Sequence, residues 1–398
     1  MKKIGIFCLA FIFANLCLLK SFGQGSPTTG QIFDSLRRPI TTAVPFLLIS
    51  SDARAAGMGD VGVATSPDAF ATHWNPAKLA FIEKDYGVAL SYTPWLRQLV
   101  NDMAISHLSG YYKFSDVEAV SLAMTYFDMG DINFTDNFGN NIGDYRPREF
   151  AIRSHYSRKL TENLGLSIGA FWVHSNIANL FFTGNGATGQ ARPGNSGGVD
   201  IGAFYQKQGL NLAGTEIDVA LGAAITNLGA KISYTGDNQR DFLPTNLRLG
   251  GSGTLKLDEL NRISAALDFN KLMVPTPSPN RLPRDIGLLN GLFSSFGDAP
   301  DGIKEELQEF MMNFGAEYVY NDMFMGRLGL AMEHKNKGDR KYATIGLGAR
   351  YNVFGLDVAY MIPFKRTNPL TDTFRVTLMV NFGGKDKTPA QLPPAENE

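Results

Sequence analysis

From Asp85 onward, apolar residues alternate with small or polar ones, the period of a strand whose two faces meet unlike surroundings. Tyr86, Val88, Leu90 and Tyr92 alternate with Gly87, Ala89 and Ser91, and Val120, Leu122, Met124 and Tyr126 alternate with Ala119, Ser121, Ala123 and Thr125. Further runs of this kind lie at about 103–114, 149–157, 164–173, 198–206, 216–227, 246–257, 261–269, 313–320, 323–333, 341–351, 354–361 and 373–382. The pattern predicts about 14 strands, an even number within the range of bacterial outer-membrane barrels.

The connections alternate as well. Those at Thr93–Asn101, Phe127–Arg148, His174–Gly197, Leu228–Thr245, Asn270–Met312, His334–Arg340 and Ile362–Asp372 are long. Between them, Ser115–Val117, Arg158–Asn163, Lys207–Thr215, Asp258–Leu260, Asn321–Asp322 and Asn352–Val353 are short. A membrane barrel has short periplasmic turns and long outer loops, whereas a soluble sandwich has no reason to keep that parity. The expected fold class is therefore all-β: a transmembrane antiparallel β-barrel over residues 85–382, with both mature termini on the periplasmic side.

Placing the large apolar residues outward turns the charged strand residues inward: Arg153, Asp200, Asp218, Arg248, Arg262, Asp268, Glu317, Arg327, Glu333, Arg350, Asp357 and Arg375. On the lipid face near the bilayer midplane, an arginine costs about 2–4 kcal/mol. Arginines and acidic residues are equally represented in that set, which predicts a filled, salt-bridged lumen rather than an ion-selective pore.

The chain ends add context. Lys2-Lys3, the apolar stretch Ile4 to Leu19 and Ser21-Phe22-Gly23 read as a signal peptide over residues 1–23, so the protein is expected to be exported. Both cysteines, Cys8 and Cys17, fall inside it, which removes disulfides, a thiol nucleophile and thiolate metal ligands from the mature chain. No later run reaches the roughly 18 apolar residues of a membrane helix, so a spanning chain must do so as a barrel in outer-membrane lipid. The polar, Pro-containing stretch 383–398 is expected to be a disordered periplasmic tail.

Charge and candidate chemistry narrow the function. With 37 Lys+Arg against 38 Asp+Glu the chain has no basic footprint for nucleic acid. The histidines His73, His107, His155, His174 and His334 show no metal-ligand spacing. Ser154, His155 and Asp200 are suitable types for nucleophile, base and orienter, but strand neighbours point to opposite faces, so Ser154 and His155 cannot share one site. No catalytic, cofactor or metal residue is expected, and the protein is not expected to be an enzyme.

Residues 24–84 do not alternate and are expected to form an N-terminal plug segment. Gly57, Gly59 and Gly62 match G-x-G-x-x-G, but no strand and helix flank them, and small residues that pack closely on a barrel wall are the better account. The motif Ala53-Arg54-Ala55-Ala56-Gly57-Met58-Gly59, with Asn75-Pro76-Ala77, resembles the hatch of the FadL-like superfamily, whose barrels have 14 strands and a plug. The longer string from Leu36-Arg37-Arg38-Pro39-Ile40 through Pro45-Phe46-Leu47-Leu48-Ile49 to Lys78-Leu79-Ala80 is similar to the PorV family of type IX secretion system proteins. That resemblance implies an outer-membrane shuttle. It would bind the C-terminal signal domain of a cargo protein at a large barrel translocon and pass it to a sortase-containing attachment complex. Arg54, Gly57, Gly59, Asn75 and Pro76 would carry the plug. The alternative is a FadL-like transporter of hydrophobic small molecules, gated around Asn75-Pro76; a lipid-modifying enzyme of the outer leaflet is a remoter third.

A partner-binding role needs apolar surface outside the membrane. Two long loops offer it: Leu180, Phe181 and Phe182 in one, and Leu288, Leu289, Leu292, Phe293 and Phe296 in the other, before a short helix expected over Gly302 to Met312. The same residues could instead fold inward and cap the barrel mouth.

Overall fold

The computed structural model describes residues 38–97, 100, 102–135, 138, 140–177, 192–212, 214–234, 240–277, 283–365 and 373–384. The barrel strands are β1 (Tyr86–Pro94), β2 (Ala104–Ser115), β3 (Glu118–Asp128), β6 (Arg148–Lys159), β7 (Leu164–Asn176), β8 (Gly194–Leu212), β9 (Thr215–Gly229), β10 (Asn246–Lys256), β11 (Asn261–Leu272), β12 (Met311–Tyr320), β13 (Phe324–Met332), β14 (Lys341–Tyr351), β15 (Phe354–Pro363) and β16 (Phe374–Phe382). They form one closed antiparallel barrel of 14 strands, sealed where β1 pairs with β16 in the register Tyr86↔Phe382 to Tyr92↔Val376. Closure leaves no unpaired edge, the condition for a sheet to cross lipid. A separate hairpin, β4 (Ile132–Thr135) with β5 (Asn141–Tyr145), occupies the connection after β3. The sequence pattern did not separate this hairpin from a loop, because each strand is too short to display a period.

The facing assignments hold. Arg153, Asp200, Arg248, Asp268, Glu317, Arg327, Asp357 and Arg375 are each no more than 5% exposed. Asp218, Arg262, Glu333 and Arg350 share the inward parity of their strands nearer the rims. On the outer face Leu90, Leu122, Ile168, Leu221, Leu328 and Leu347 are exposed, as a lipid-facing belt requires. At the short-turn end an aromatic girdle includes Tyr86, Tyr112, Phe114, Phe324, Tyr351 and Phe354, with Tyr86 stacked on Phe382 at 5.1 Å between ring centroids.

Residues 44–82 pack against the inward-facing side chains of this wall. They contain helix α1 (Ala53–Gly57), helix α2 (Ala71–Trp74) and two 3-10 turns, Pro45–Leu48 and Pro76–Phe81. Most of their side chains are buried, from Phe46 and Leu47 at one end to Leu79 and Phe81 at the other. Arg38 donates its backbone N–H to Asn336 O at 3.0 Å, among the long loops, whereas Ile82 leads into β1 at the short-turn end. The segment therefore runs the length of the barrel and begins at the end opposite Phe382. The expected periplasmic termini themselves lie outside the described residues.

Candidate functional sites in the lumen and the outer loops

The hatch-like motif residues each reach the wall. Asp52 caps α1 by accepting the Ala55 N–H at 2.8 Å, and its second oxygen takes the Trp74 indole N–H at 2.8 Å, which joins α1 to α2. This orients Arg54, whose guanidinium forks onto Glu317 of β12 at 3.2 and 2.9 Å and also reaches Asp68 at 3.0 Å. From Glu317 the ion pairs continue to Arg327 at 2.7 Å, then to Asp357 at 2.7 Å and Arg350 at 2.7 Å. A buried charge needs such partners to offset its desolvation.

Gly57 and Gly59 act through their lack of a side chain. A Cβ on Gly57 would stand 2.9 Å from Cα of Gly346. Gly59 has φ of 71°, a left-handed conformation, and a Cβ there would meet the Leu330 backbone nitrogen at 2.5 Å. The close approach is then fixed by hydrogen bonds: Gly59 N–H to Thr344 Oγ1 at 2.9 Å, and Asn313 Nδ2 to Gly59 O at 2.6 Å. Gly62 rests on the Trp74 ring instead, and its N–H, with that of Val63, donates to Asp268 Oδ2 at 2.7 and 2.9 Å. The G-x-G-x-x-G spacing thus serves packing against three different surfaces.

Asn75 is fully buried and its Oδ1 accepts the Ala77 N–H at 3.2 Å, opening the turn that Pro76 starts. Its amide donates to Val63 O at 3.2 Å and to Ala203 O of β8 at 2.9 Å, while Ser157 of β6 donates to Pro76 O at 2.8 Å. Arg54 and Asn75 thereby fasten the segment to widely separated strands.

One arrangement escaped sequence reasoning. Ser121 on β3 stands opposite His155 on β6 at 3.4 Å from Nδ1, and His155 Nε2 lies 2.9 Å from Asp200 on β8. Ser154 does point outward, as strand alternation requires, but pairing with β3 brings a different serine to His155; only the register between strands could have revealed it. Asp200 also takes Arg153 at 3.1 Å and the Asn227 N–H at 2.7 Å, and all three residues are at most 5% exposed. The chain of contacts ties strands together inside a packed wall. Among the described residues no cluster of three or more His, Cys, Asp or Glu could hold a metal ion.

In the outer loops, Leu180, Phe181 and Phe182 lie outside the described residues. The longest loop carries two short helices, α3 (Leu288–Ser294), for which the sequence pattern offered no element, and α4 (Ile303–Gln308), shorter than the predicted 302–312. Leu289, Phe293 and Phe296 are 66%, 76% and 46% exposed, joined on α4 by Ile303 and Leu307 at 80% and 67%. Leu292 is buried and Leu288 half-buried, so those two support the loop instead of facing outward.

Beneath this surface, buried ion pairs hold the loop. Lys271 pairs with Glu306 at 3.2 Å and with Glu309; Lys337 bridges Glu305 and Glu309 at 2.7 and 2.8 Å; Arg38 reaches Glu305 at 2.9 Å. Burial pushes the Glu305 carboxyl up, but the Lys337 ammonium and the Asp301 N–H outweigh it and hold it below the usual glutamate range. Asp298 moves the other way, raised by burial and by the neighbouring Glu306 and Glu309 despite the Thr276 N–H.

A closed barrel with an apolar outer belt, an aromatic girdle and a charged, filled interior defines an outer-membrane β-barrel protein. Residues 33–279 match the family described as type IX secretion system protein PorV, more than half of the chain. The chain belongs to the PorV family and is an outer-membrane component of the type IX secretion system. A search of curated proteins returns no match. Among solved structures, the Ralstonia pickettii toluene transporter TbuX is 13% identical, with 85% of this chain and 100% of that one covered and a TM-score of 0.46. The Pseudomonas putida toluene transporter TodX is 12% identical, with 84% and 98% covered and a TM-score of 0.46. A Pseudomonas aeruginosa FadL homologue is 12% identical, with 87% and 100% covered and a TM-score of 0.44. At these values none of them bears on substrate.

Proposed function

We propose that this barrel is a cargo shuttle: it receives the C-terminal signal domain of a secreted protein at the translocon and passes it to a sortase-containing attachment complex. One observation carries the reading beyond family membership. The loop between β11 and β12 presents Leu289 and Phe293 of α3, and Phe296 just after it, to solvent beyond the strand ends, while buried ion pairs hold the α4 end of the same loop. Exposed apolar surface of this kind on an ordered loop marks a protein contact. In this reading residues 44–82 are a plug, fastened by Arg54, Gly57, Gly59, Asn75 and Pro76, and the lumen conducts nothing. Uptake of hydrophobic small molecules would need a path past that segment, and its contacts with the wall favour the shuttle.

The test replaces Leu289, Phe293 and Phe296 together with serine in the full-length protein. Cargo proteins should cease to reach the surface and cease to co-purify with the barrel from detergent-solubilised membranes, while the barrel stays heat-modifiable on gels. Unchanged secretion together with lost uptake of a hydrophobic compound in a plug variant would favour transport instead.

A further inference from the structure

Two arginines inside the barrel have no acid to pair with. Arg248 on β10 and Arg375 on β16 are 2% and 3% exposed, and Nε of each is enclosed without an acceptor. Among the described residues neither arginine makes an ion pair or a hydrogen bond, whereas Arg54, Arg153 and Arg327 each hold a carboxylate. Arginine stays charged in a protein interior, so it cannot escape the cost of burial by losing a proton. The two come from opposite walls, with five strands between them one way round the barrel and seven the other. Both nevertheless act on one residue of the lumenal segment, His73 of α2: burial, and then the positive charges of Arg248, Arg153 and Arg375, push its imidazole well below the usual histidine range. His107 of β2 stands beside it at 6.2 Å between ring centroids, and Nε2 of both histidines lacks a partner, as does Nε of Arg153.

We propose that these residues bind one small inorganic anion, of chloride size, which joins His73 of the lumenal segment to Arg248 and Arg375 of the wall. The neighbouring groups do not supply the missing acceptor. Trp74 lies against Arg248, with the guanidinium carbon 4.8 Å from its ring centroid, but that contact takes the face of the guanidinium and leaves the donors in its plane. The nearby carboxylates are engaged elsewhere: Asp268 Oδ2 accepts the Gly62 and Val63 N–H groups, and Asp60 Oδ2 accepts the Tyr342 hydroxyl. Their second oxygens are unpartnered, so five unpartnered guanidinium and imidazole nitrogens stand against two carboxylate oxygens. That excess of donors, around a centre where the named charges are positive, selects an anion over a cation. Enclosure selects its size, because Arg153, Arg248, Arg375, His73 and His107 are each no more than 4% exposed, and that excludes an organic acid.

The experiment crystallises the full-length protein from detergent in bromide in place of chloride and locates bromide by its anomalous scattering. A single peak among His73, Arg248 and Arg375 is expected. In parallel, the temperature at which the compact gel band is lost is followed in bromide, chloride and gluconate at one ionic strength. Bromide and chloride should raise it with concentration, as a ligand of the folded state does, and gluconate, too large to enter, should not. The halide effect should vanish in Arg248→Met/Arg375→Met. Bromide in the wild-type crystal is decided without any variant, so a double variant that fails to fold leaves the test standing. Density without anomalous signal between the arginines, which would mean water alone, overturns the proposal. So does a halide effect equal to that of gluconate, which would make the bromide an adventitious ion only, or one that survives in the folded double variant.

Discussion

Arg54 and Glu317 are joined by two hydrogen bonds, Nε to Oε2 at 3.2 Å and Nη2 to Oε1 at 2.9 Å, across 263 positions of sequence. The pair fastens the lumenal segment to β12, and its two members are not equivalent. Removing Arg54 leaves Glu317 still paired with Arg327 at 2.7 Å, whereas removing the Glu317 charge takes a partner from two buried guanidinium groups at once, leaving Arg54 with Asp68 and Arg327 with Asp357. Breaking a buried pair from one side costs about 3–5 kcal/mol. Glu317→Gln should therefore lower the unfolding free energy of the detergent-solubilised barrel, read by urea titration, by up to about that amount, and Arg54→Met by clearly less. Equal losses would mean that the network beyond Glu317 contributes nothing.

Gly59 offers a steric test of the same contact. Gly59→Ala demands a left-handed alanine and a Cβ 2.5 Å from a wall nitrogen. Strain and overpacking together should cost about 1–3 kcal/mol. Gly253→Ala meets nothing within 4 Å and should stay within about 0.5 kcal/mol of the parent. Thermal loss of the compact gel band, read side by side for the two variants, checks the contrast.

The strands and their facing were legible because period two writes itself directly into the sequence, and Leu122 beside Ser121 already shows which side meets lipid. What meets across strands was not. Ser121 faces His155 only through the register of β3 on β6, and the path of residues 44–82 depends on contacts such as Gly57 with Gly346 that no local pattern encodes. Within the loops, Leu292 and Leu289 look alike in sequence, and only packing separates the buried from the exposed one.

The ion-paired loop should respond to acid in a defined direction. The folded-state pKa of Glu305 is depressed, so its pairing with Lys337 and Arg38 contributes stability above the unfolded value of about 4.3 and loses it as pH falls through the lower folded value. Between neutrality and about pH 5 the loop should hold. Below about pH 4 hydrogen exchange of residues 298–310, corrected for its intrinsic pH dependence, should accelerate. Glu305→Gln should show that faster exchange already at neutral pH. Acceleration beginning near pH 6 would point to a different group.

Ser121, His155 and Asp200 invite a catalytic reading that the surroundings oppose. Asp200 divides its oxygens among His155, Arg153 and the Asn227 N–H, and the imidazole is packed so tightly that a Cβ on Gly169 would stand 2.1 Å from its Cδ2. A structural bridge predicts an uneven pair of outcomes. His155→Ala leaves a buried carboxylate short of a partner and a hole beside it, and should destabilise the barrel by about 1–3 kcal/mol in urea titration. Ser121→Ala removes one long contact of 3.4 Å and should change neither the unfolding free energy by more than about 1 kcal/mol nor the amount of cargo at the cell surface. Loss of secretion in Ser121→Ala with the barrel intact would reverse this assignment and make the serine a reacting group.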